Sequence, residues 1–484
     1  MNYTPLVIIL LAFTILLPRV FNLDAFQTAD EKMWIANTQG FTKNLATGRL
    51  GQLLQQAHPG ITTQWLSALT INSSSLTTRK LPLVIGQSII IGLIGYIFYR
   101  LWGRKQATIL TLLLALNPFL VAHTRVYAMD SLLALFLLLS VGCLLLWQKN
   151  KVPRYLAFSA VAGALAVLSK LSGLLIIPFS LLVIFRPKPA ALWLVVLILA
   201  LVLVFPSLLL NFSEVIHLTQ KFLLAGDARD THHAGANYTY YLETLIFFST
   251  PLHLAAIIAM IFLAVPRLSR EARQGKVGTA PTIQINKNQL LILILFIALF
   301  TILMTLGAKK GDRYILPSFL LLDTLVVITF FYLINLFKTR RLLLVISYCL
   351  LVTGLLWQAI DITRLHPHLL AYVNPVTKPF YGDRRLGWGE GFDLAADYLN
   401  KKPNATELIV ASVYPTEFAY NFIGQVIPLN HFEDNNADYV VLYRALFERG
   451  PDAWETDILN RFSNQTPEKT ITLNGLDYIW IYKK

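Results

Sequence analysis

The stretch QLLILILFIALFTILMTLG, residues 289–307, contains no charged side chain. A helix of about 20 apolar residues is long enough to cross the hydrocarbon core of a bilayer. Runs of this kind recur through the first three quarters of the chain, and several are short or interrupted. We therefore predict a polytopic α-helical membrane protein with about eleven spans, near 3–22, 81–100, 107–123, 127–147, 155–169, 172–185, 190–210, 241–265, 289–307, 315–337 and 342–360.

The composition excludes a soluble enzyme. The chain has 484 residues, of which 55% are hydrophobic and 14% are charged, and its mean hydropathy is +0.57. Soluble chains are about a quarter charged. The same apolar content excludes a disordered chain.

The net charge of +14 indicates orientation rather than nucleic-acid binding. Alternate short loops between the predicted spans are basic, and they contain a single acid, Glu271. The rest of the chain is nearly neutral. Basic loops stay in the cytoplasm, which places the N-terminus inside and, after an odd number of spans, the C-terminus outside. The basic residues of these loops are Arg100, Arg104, Lys105, Lys149, Lys151, Arg154, Arg186, Lys188, Arg267, Arg270, Arg273, Lys276, Lys287, Lys338, Arg340 and Arg341.

This orientation divides the chain into a membrane module, residues 1–360, and an extracytoplasmic domain, residues 361–484. Two long outer loops interrupt the membrane module, about 23–80 and about 211–240. A shorter outer turn occupies 307–314.

The tail has the pattern of a small α/β domain. Short apolar runs predict buried strands at Glu407–Ser412, Asp438–Tyr443 and Leu476–Lys483, while Phe392–Asn400 and Trp454–Phe462 have helical periodicity. Both cysteines, Cys143 and Cys349, fall in predicted spans, so neither indicates a disulfide outside the membrane or a catalytic thiol.

Two adjacent carboxylates, Asp30 and Glu31, follow the first span closely and are expected near the membrane surface. One interpretation is a solvated acidic pair on a helix lying at the interface. The other is a general base, because a carboxylate at a low-dielectric surface can be tuned to accept a proton from a hydroxyl. The apolar face of the interfacial helix would consist of Trp34, Phe41 and Leu45.

Arg125 and Asp130 stand five residues apart at another outer membrane edge. Charged side chains there are costly unless they pair or face a cavity. They form either a structural ion pair or the floor of a polar pocket.

Four cations occupy short outer turns, against the positive-inside bias. Lys170 lies in one turn, and Lys309, Lys310 and Arg313 lie in another. Outer acids could neutralise them. Alternatively they bind an anion such as a lipid phosphate, which arginine grips as a fork and lysine meets as a point charge.

Histidines leave a metal site open as an alternative. The outer histidines could bind a divalent metal together with Asp30 or Glu31. They are His58, His232, His233, His366 and His368. Paired loop histidines are more often simply polar loop residues, so no cofactor is firmly indicated.

In order and placement, these residues resemble the GT-C membrane glycosyltransferases, specifically the protein O-mannosyltransferase-like family 39 group, which includes the aminoarabinose transferases. The similarity covers most of the chain. A departure is Gly60 after His58-Pro59, where a second proline is common. The matching segments are Asp30-Glu31, His58-Pro59, Arg125 to Asp130, Leu168-Ser169-Lys170, Lys310 to Pro317, His366-Pro367 to Asn374-Pro375, and Leu386-Gly387-Trp388-Gly389-Glu390-Gly391.

The resemblance implies a helical bundle roofed by outer interfacial helices and an inverting transfer from a sugar on polyprenyl phosphate. It implies Asp30 as base, with Glu31 orienting Asp30 or binding the acceptor. The donor phosphate would be bound by Lys310 and Arg313, with Lys170 and Arg125 as second choices. The pocket would include His58, Asp130, Tyr314 and His366.

The acceptor class stays open between protein, glycolipid and polysaccharide, and the expected location is a prokaryotic plasma membrane. Two other functions remain. A transporter or flippase of a lipid-linked or anionic solute would account for the outer cations and for intramembrane Asp323, and an envelope oligosaccharide ligase or polymerase would use the same lipid donor. The long first loop and the outer tail favour the transferase.

Overall fold

The structure is a computed structural model that describes residues 5–55, 59–224, 238–261, 287–307, 310–381, 387–433, 436–448 and 453–484. Helices dominate it up to residue 365. The α-helices are α1 (Pro5–Val20), α2 (Glu31–Ala46), α3 (Ile61–Ser67), α4 (Leu76–Trp102), α5 (Arg104–Leu116), α6 (Pro118–Thr124), α7 (Asp130–Asn150), α8 (Pro153–Ser169), α9 (Ile176–Ile184), α10 (Pro187–Val204), α11 (Ser207–Leu210), α12 (Phe212–Leu224), α13 (Tyr240–Phe248), α14 (Pro251–Ala259), α15 (Lys287–Leu306), α16 (Leu316–Phe337), α17 (Arg341–Leu365), α18 (Phe392–Asn400), α19 (Pro415–Ala419), α20 (Ala445–Glu448) and α21 (Ala453–Phe462).

The membrane bundle confirms the predicted fold class. Among the described residues, six helices are long and apolar enough to cross a membrane, or up to eight if each of two bent pairs counts as one span. Where the structure describes the predicted runs, each contains apolar helix, but the count of eleven is not confirmed, because several of these helices are short. The bent pairs are α5–α6, with an angle of 61°, and α13–α14, with an angle of 112°.

The chain breaks at Lys170, as predicted. Helix α8 ends at Ser169, Lys170 is extended, and a 3₁₀ turn, Leu171–Leu175, leads into α9. The break places the lysine at a helix end instead of in the middle of an apolar span.

Helices α7 and α16 lie in the interior of the bundle, whereas α10 and α17 are largely exposed at its periphery. The first residue of α7 is Asp130, and Arg313 lies in a 3₁₀ turn, Asp312–Ile315, immediately before α16. The two most enclosed helices therefore begin beside the charged residues that the sequence singled out.

The tail is a five-stranded mixed sheet in the order β2-β1-β3-β5-β4. Strand β1 pairs in parallel with β2 and β3, while β5 runs antiparallel to β3 and β4. Apolar clusters cover both faces, and the central strand β3 is buried throughout. The strands are β1 (Ile409–Ser412), β2 (Gln425–Pro428), β3 (Tyr439–Tyr443), β4 (Lys469–Leu473) and β5 (Leu476–Lys483).

The three predicted strands and both predicted helices of the tail are present. The edge strands β2 and β4 were not predicted. They are short and only partly buried, so their sequences lack the continuous apolar run that marks β3.

Candidate active site

Asp30 stands at the end of the loop that joins α1 to α2. Its side chain does not cap α2 but turns toward Arg313, whose Nη2 donates to Asp30 Oδ2 at 2.9 Å. The Asp30 side chain is 37% exposed and that of Arg313 is 24% exposed. Among the described residues, Oδ1 of Asp30 has no hydrogen-bond partner. The base candidate and a phosphate-binding candidate are thus in direct contact.

Arg313 also contacts Asp130, with 3.4 Å between Nε and Oδ2. Asp130 in turn accepts a hydrogen bond from Lys170 Nζ at 2.6 Å, and both side chains are largely buried. Asp30, Arg313, Asp130 and Lys170 therefore form a chain of alternating charge, which we call the charged chain. It is closed at the Lys170 end by the ring of Tyr314, 3.7 Å from the lysine nitrogen to the ring centre.

The charged chain compensates its own charges, so its burial is tolerable. It also leaves donors for a ligand. The guanidinium of Arg313 has five N–H groups, and no acceptor among the described residues is bonded to its Nη1.

Glu31, next to Asp30, lies elsewhere. Its carboxylate is 0% exposed and bonds Lys80 Nζ at 2.8 Å. It also accepts from the backbone N–H of Tyr127 at 2.7 Å and of Thr28 at 2.9 Å. This arrangement anchors the loop that carries Asp30. A direct part in the reaction stays a prediction.

Arg125 and His366 contact the far end of α1. Arg125 donates from Nη1 to the carbonyl of Pro18 at 3.1 Å and from Nη2 to that of Asn22 at 3.0 Å. His366 Nε2 lies 3.2 Å from the carbonyl of Phe21. Both side chains thus hold the start of the first loop, and Arg125 does not contact the charged chain.

Lys310 lies just beyond the end of α15. Its Nζ donates to the carbonyl of Gly307 at 2.6 Å, to that of Met304 at 3.4 Å and to that of Thr305. A lysine in this position satisfies the carbonyls that a helix end leaves without intrahelical partners. Burial lowers the pKa of Lys310.

Trp388 completes the site from the tail. In the sequence analysis it appears only as part of the motif from Leu386 to Gly391. Its ring centre lies 4.0 Å from the Arg313 guanidinium carbon, and its carbonyl accepts from Ala29 N–H at 3.1 Å. The neighbouring Gly389 has φ +114°, and a Cβ there would come within 2.7 Å of the Gln27 carbonyl. The tail therefore packs directly on the loop of Asp30. The glycines that flank Trp388 were the available signal.

Gly60 explains the departure from the family's His-Pro-Pro pattern. It has φ +55°, and a Cβ there would lie 2.7 Å from the Trp34 ring. Proline is restricted to φ near −65° and could not replace it in this turn.

Several predicted residues lie outside the described part of the chain: His58, His232, His233 and Lys309. Within the described ranges, no three His, Cys, Asp or Glu side chains are grouped so as to hold a metal ion. The proposed histidine metal site is therefore untested. His368 contacts Asp393 at 2.9 Å instead.

The sequence matches the family described as dolichyl-phosphate-mannose-protein mannosyltransferase over residues 58–210. It has no match among curated proteins. Two solved structures of ArnT from Cupriavidus metallidurans are similar in fold. The form bound to undecaprenyl phosphate is 14% identical, with 98% of this chain and 97% of that chain covered and a TM-score of 0.50. The apo form is 13% identical, with the same coverage and a TM-score of 0.51.

The Archaeoglobus fulgidus oligosaccharyltransferase in complex with Zn and sulfate is 14% identical, covers 90% of this chain and 68% of that chain, and has a TM-score of 0.49. The identities to ArnT are low, and what the two chains share over nearly their full lengths is the fold. Together, this shared fold and the family match over residues 58–210 confirm the predicted resemblance to family 39-like GT-C membrane glycosyltransferases.

Proposed function

We propose that this protein transfers a sugar from a polyprenyl phosphate to an acceptor hydroxyl at the extracytoplasmic face of the membrane, with inversion at the anomeric carbon. The observation that carries the proposal is the contact between Asp30 and Arg313. One carboxylate oxygen is bonded to the cation at 2.9 Å, while the other has no partner among the described residues.

The donor class is supported from two directions. The matched family is named for dolichyl-phosphate-mannose, and ArnT, which has the same fold, was solved bound to undecaprenyl phosphate. In this chain, Arg313 is the cation best placed for a lipid phosphate, because it is partly exposed and retains Nη1 for a second hydrogen bond. Lys170 supports it through Asp130.

The chemistry needs one base and one anion stabiliser. The acceptor oxygen attacks the anomeric carbon and its proton passes to Asp30 Oδ1, while the bond between that carbon and the phosphate oxygen breaks. The electron pair leaves with the polyprenyl phosphate. Arg313 stabilises the negative charge that develops there, and it is already oriented before the reaction. The phosphate is a good leaving group, so no separate acid is required.

The Asp30–Arg313 pair can serve both substrates at once. A donor phosphate would bind Arg313 through Nη1 while Nη2 stays bonded to Asp30 Oδ2. Asp30 Oδ1 then faces the acceptor hydroxyl. Glu31 contributes by fixing the loop that carries Asp30, and Trp388 covers Arg313 from the tail.

The sidedness rests on the basic loops, which place the charged chain and the tail outside the cytoplasm. The acceptor is a hydroxyl of a protein, a glycolipid or a polysaccharide. A divalent metal bound by His58, His232 and His233 together with Asp30 or Glu31 would be an additional component of the site. The steps above do not require it.

The test supplies membranes containing the protein with a radiolabelled polyprenyl-phosphate monosaccharide. Label that becomes attached to a lipid-free or glycolipid acceptor supports the transferase. Label that only crosses the bilayer supports the transporter and contradicts the proposal. Transfer of label only after it is assembled into a longer lipid-linked glycan supports the ligase or polymerase.

A further inference from the structure

Asp323 is an acid in the middle of α16 whose side chain is 0% exposed. An ionisable residue at membrane depth is costly and normally has a specific partner. Asp323 has two. Its Oδ1 lies 2.7 Å from His253 Nε2, and its Oδ2 accepts from Asn117 Nδ2 at 3.1 Å.

His253 belongs to the break between α13 and α14. The ring nitrogen Nδ1 accepts a hydrogen bond from the backbone N–H of Thr250 at 3.1 Å. The backbone N–H of His253 donates to Thr250 Oγ1 at 3.4 Å. Because Nδ1 acts as acceptor, Nε2 is the ring nitrogen that donates to Asp323. The histidine thus ties the 112° bend of this helix pair to Asp323.

Asn117 belongs to the break between α5 and α6. Its Oδ1 accepts from the backbone N–H groups of Phe119 at 3.1 Å and Leu120 at 3.2 Å, which are the free donors at the start of α6. Its amide nitrogen is then left to donate to Asp323. The 61° bend of this second helix pair is therefore tied to the same carboxylate.

The two breaks have the same construction. In each, a capping side chain precedes a proline at the first helical position: Asn117-Pro118 in one and Thr250-Pro251 in the other. A broken helix is stable at membrane depth only if its free backbone groups find partners inside the protein. Here the capping side chains meet that requirement. Asp323 bonds Asn117 at one break and His253, which pairs with Thr250, at the other.

Both bends lead to the charged chain. Helix α6 runs toward Asp130, which begins α7. Helix α13 begins with Tyr240, whose hydroxyl donates to Asp312 at 2.8 Å, next to Arg313. Each broken helix pair is therefore connected, through the sequence or through a hydrogen bond, to a residue of the charged chain or its immediate neighbour. Helix α16, which follows Arg313, carries Asp323 itself.

We infer that Asp323 is a positioning residue that fixes both helix breaks and, through them, the pairing of Arg313 with Asp130. The inference rests on the proposed phosphate role of Arg313 only for its binding readout.

The first arm of the test measures the bend without a ligand. Spin labels are placed at Leu242 on α13 and Ile258 on α14, both exposed, in a background where the exposed Cys349 is replaced by alanine. In Asp323→Asn the amide offers one acceptor to two donors, so the distance distribution should broaden or shift. An unchanged distribution overturns the inference.

The second arm measures binding of undecaprenyl phosphate to the purified full chain. Asp323→Asn should weaken binding roughly tenfold, which is within the range by which residues remote from a site alter its energetics through positioning. In an Arg313→Ala background it should have no further effect, because the two act through one path. Effects that multiply would indicate general destabilisation and overturn the inference. If Arg313→Ala binds normally, the phosphate role of Arg313 fails, and the distance arm alone decides on Asp323.

Two further variants keep both arms informative. Ser140→Ala removes a buried bond to the Ser159 carbonyl, 2.8 Å long, between unbroken helices α7 and α8. It should leave the distance distribution and the binding unchanged. His253→Gln retains a donor for Asp323 and an acceptor for the backbone N–H of Thr250. It should therefore weaken binding less than Asp323→Asn does. Equal loss in Ser140→Ala and Asp323→Asn would contradict a positioning role.

Discussion

Arg313 Nη2 lies 2.9 Å from Asp30 Oδ2, although the two residues are 283 positions apart in the chain. The contact joins the loop after α1 to the turn before α16. It brings a carboxylate with one open oxygen to a cation that is always charged. In the proposed reaction this pair supplies both the base and the cation that binds the phosphate.

Arg313→Ala should weaken use of the lipid donor. A hydrogen bond to a charged group contributes about 1.5–3 kcal/mol, so we expect the apparent Kd for undecaprenyl phosphate to rise roughly tenfold to a hundredfold. Arg313→Lys keeps the charge but loses the fork and should lie between the wild type and the alanine variant. Equilibrium binding to purified protein is the measurement. An unchanged Kd for Arg313→Ala would refute the phosphate role.

Trp388→Ala, a change in the tail, should weaken binding of the lipid donor. The ring lies 4.0 Å from the Arg313 guanidinium carbon, and such cation–π contacts contribute about 0.5–2 kcal/mol. We expect the KM for the lipid donor to rise several-fold, with a smaller rise for Trp388→Phe. As a control, Trp454→Ala changes an exposed tryptophan of the tail and should leave the KM unchanged. Equal KM values for both alanine variants would exclude Trp388 from the site.

Glu31→Gln should lower stability more than it alters chemistry. The carboxylate is fully buried against Lys80, and breaking one side of a buried ion pair typically costs about 3–5 kcal/mol. We expect a lower thermal unfolding midpoint, partly restored in Glu31→Gln combined with Lys80→Met. The check is unfolding of the purified protein. A variant with the wild-type midpoint and no transfer activity would instead make Glu31 catalytic.

The sequence identifies the charged residues of the site but not their contacts. Asp30 stands out as a carboxylate close to the membrane surface, Asp130 as a charge that needs a partner at a membrane edge, and Lys170 and Arg313 as cations in outer turns. Their mutual contacts were not predictable, because those contacts depend on how four helix ends meet. The pattern of apolar residues predicts the helices and the central strand of the tail, because this pattern reports which residues are buried. It does not report which side chains contact one another.

The residues with unexpected surroundings illustrate that limit. Lys310 and Arg125 carry the charge that a phosphate site requires, but in the structure they bond backbone carbonyls at helix ends. Glu31 is adjacent to Asp30, but α2 directs it into the protein. Sequence position does not distinguish a cation that faces a cavity from one that satisfies a helix terminus.

The rate of sugar transfer decides whether Asp30 acts as the base. It is measured with a radiolabelled polyprenyl-phosphate monosaccharide in membranes that contain equal amounts of wild-type, Asp30→Asn and Asp24→Asn protein. Asp24 is an exposed acid of the same loop and serves as the matched control. Loss of a general base lowers rates by about 10²- to 10⁴-fold. We expect such a loss for Asp30→Asn and a near wild-type rate for Asp24→Asn. A correctly inserted Asp30→Asn protein with the wild-type rate would exclude Asp30 as the base.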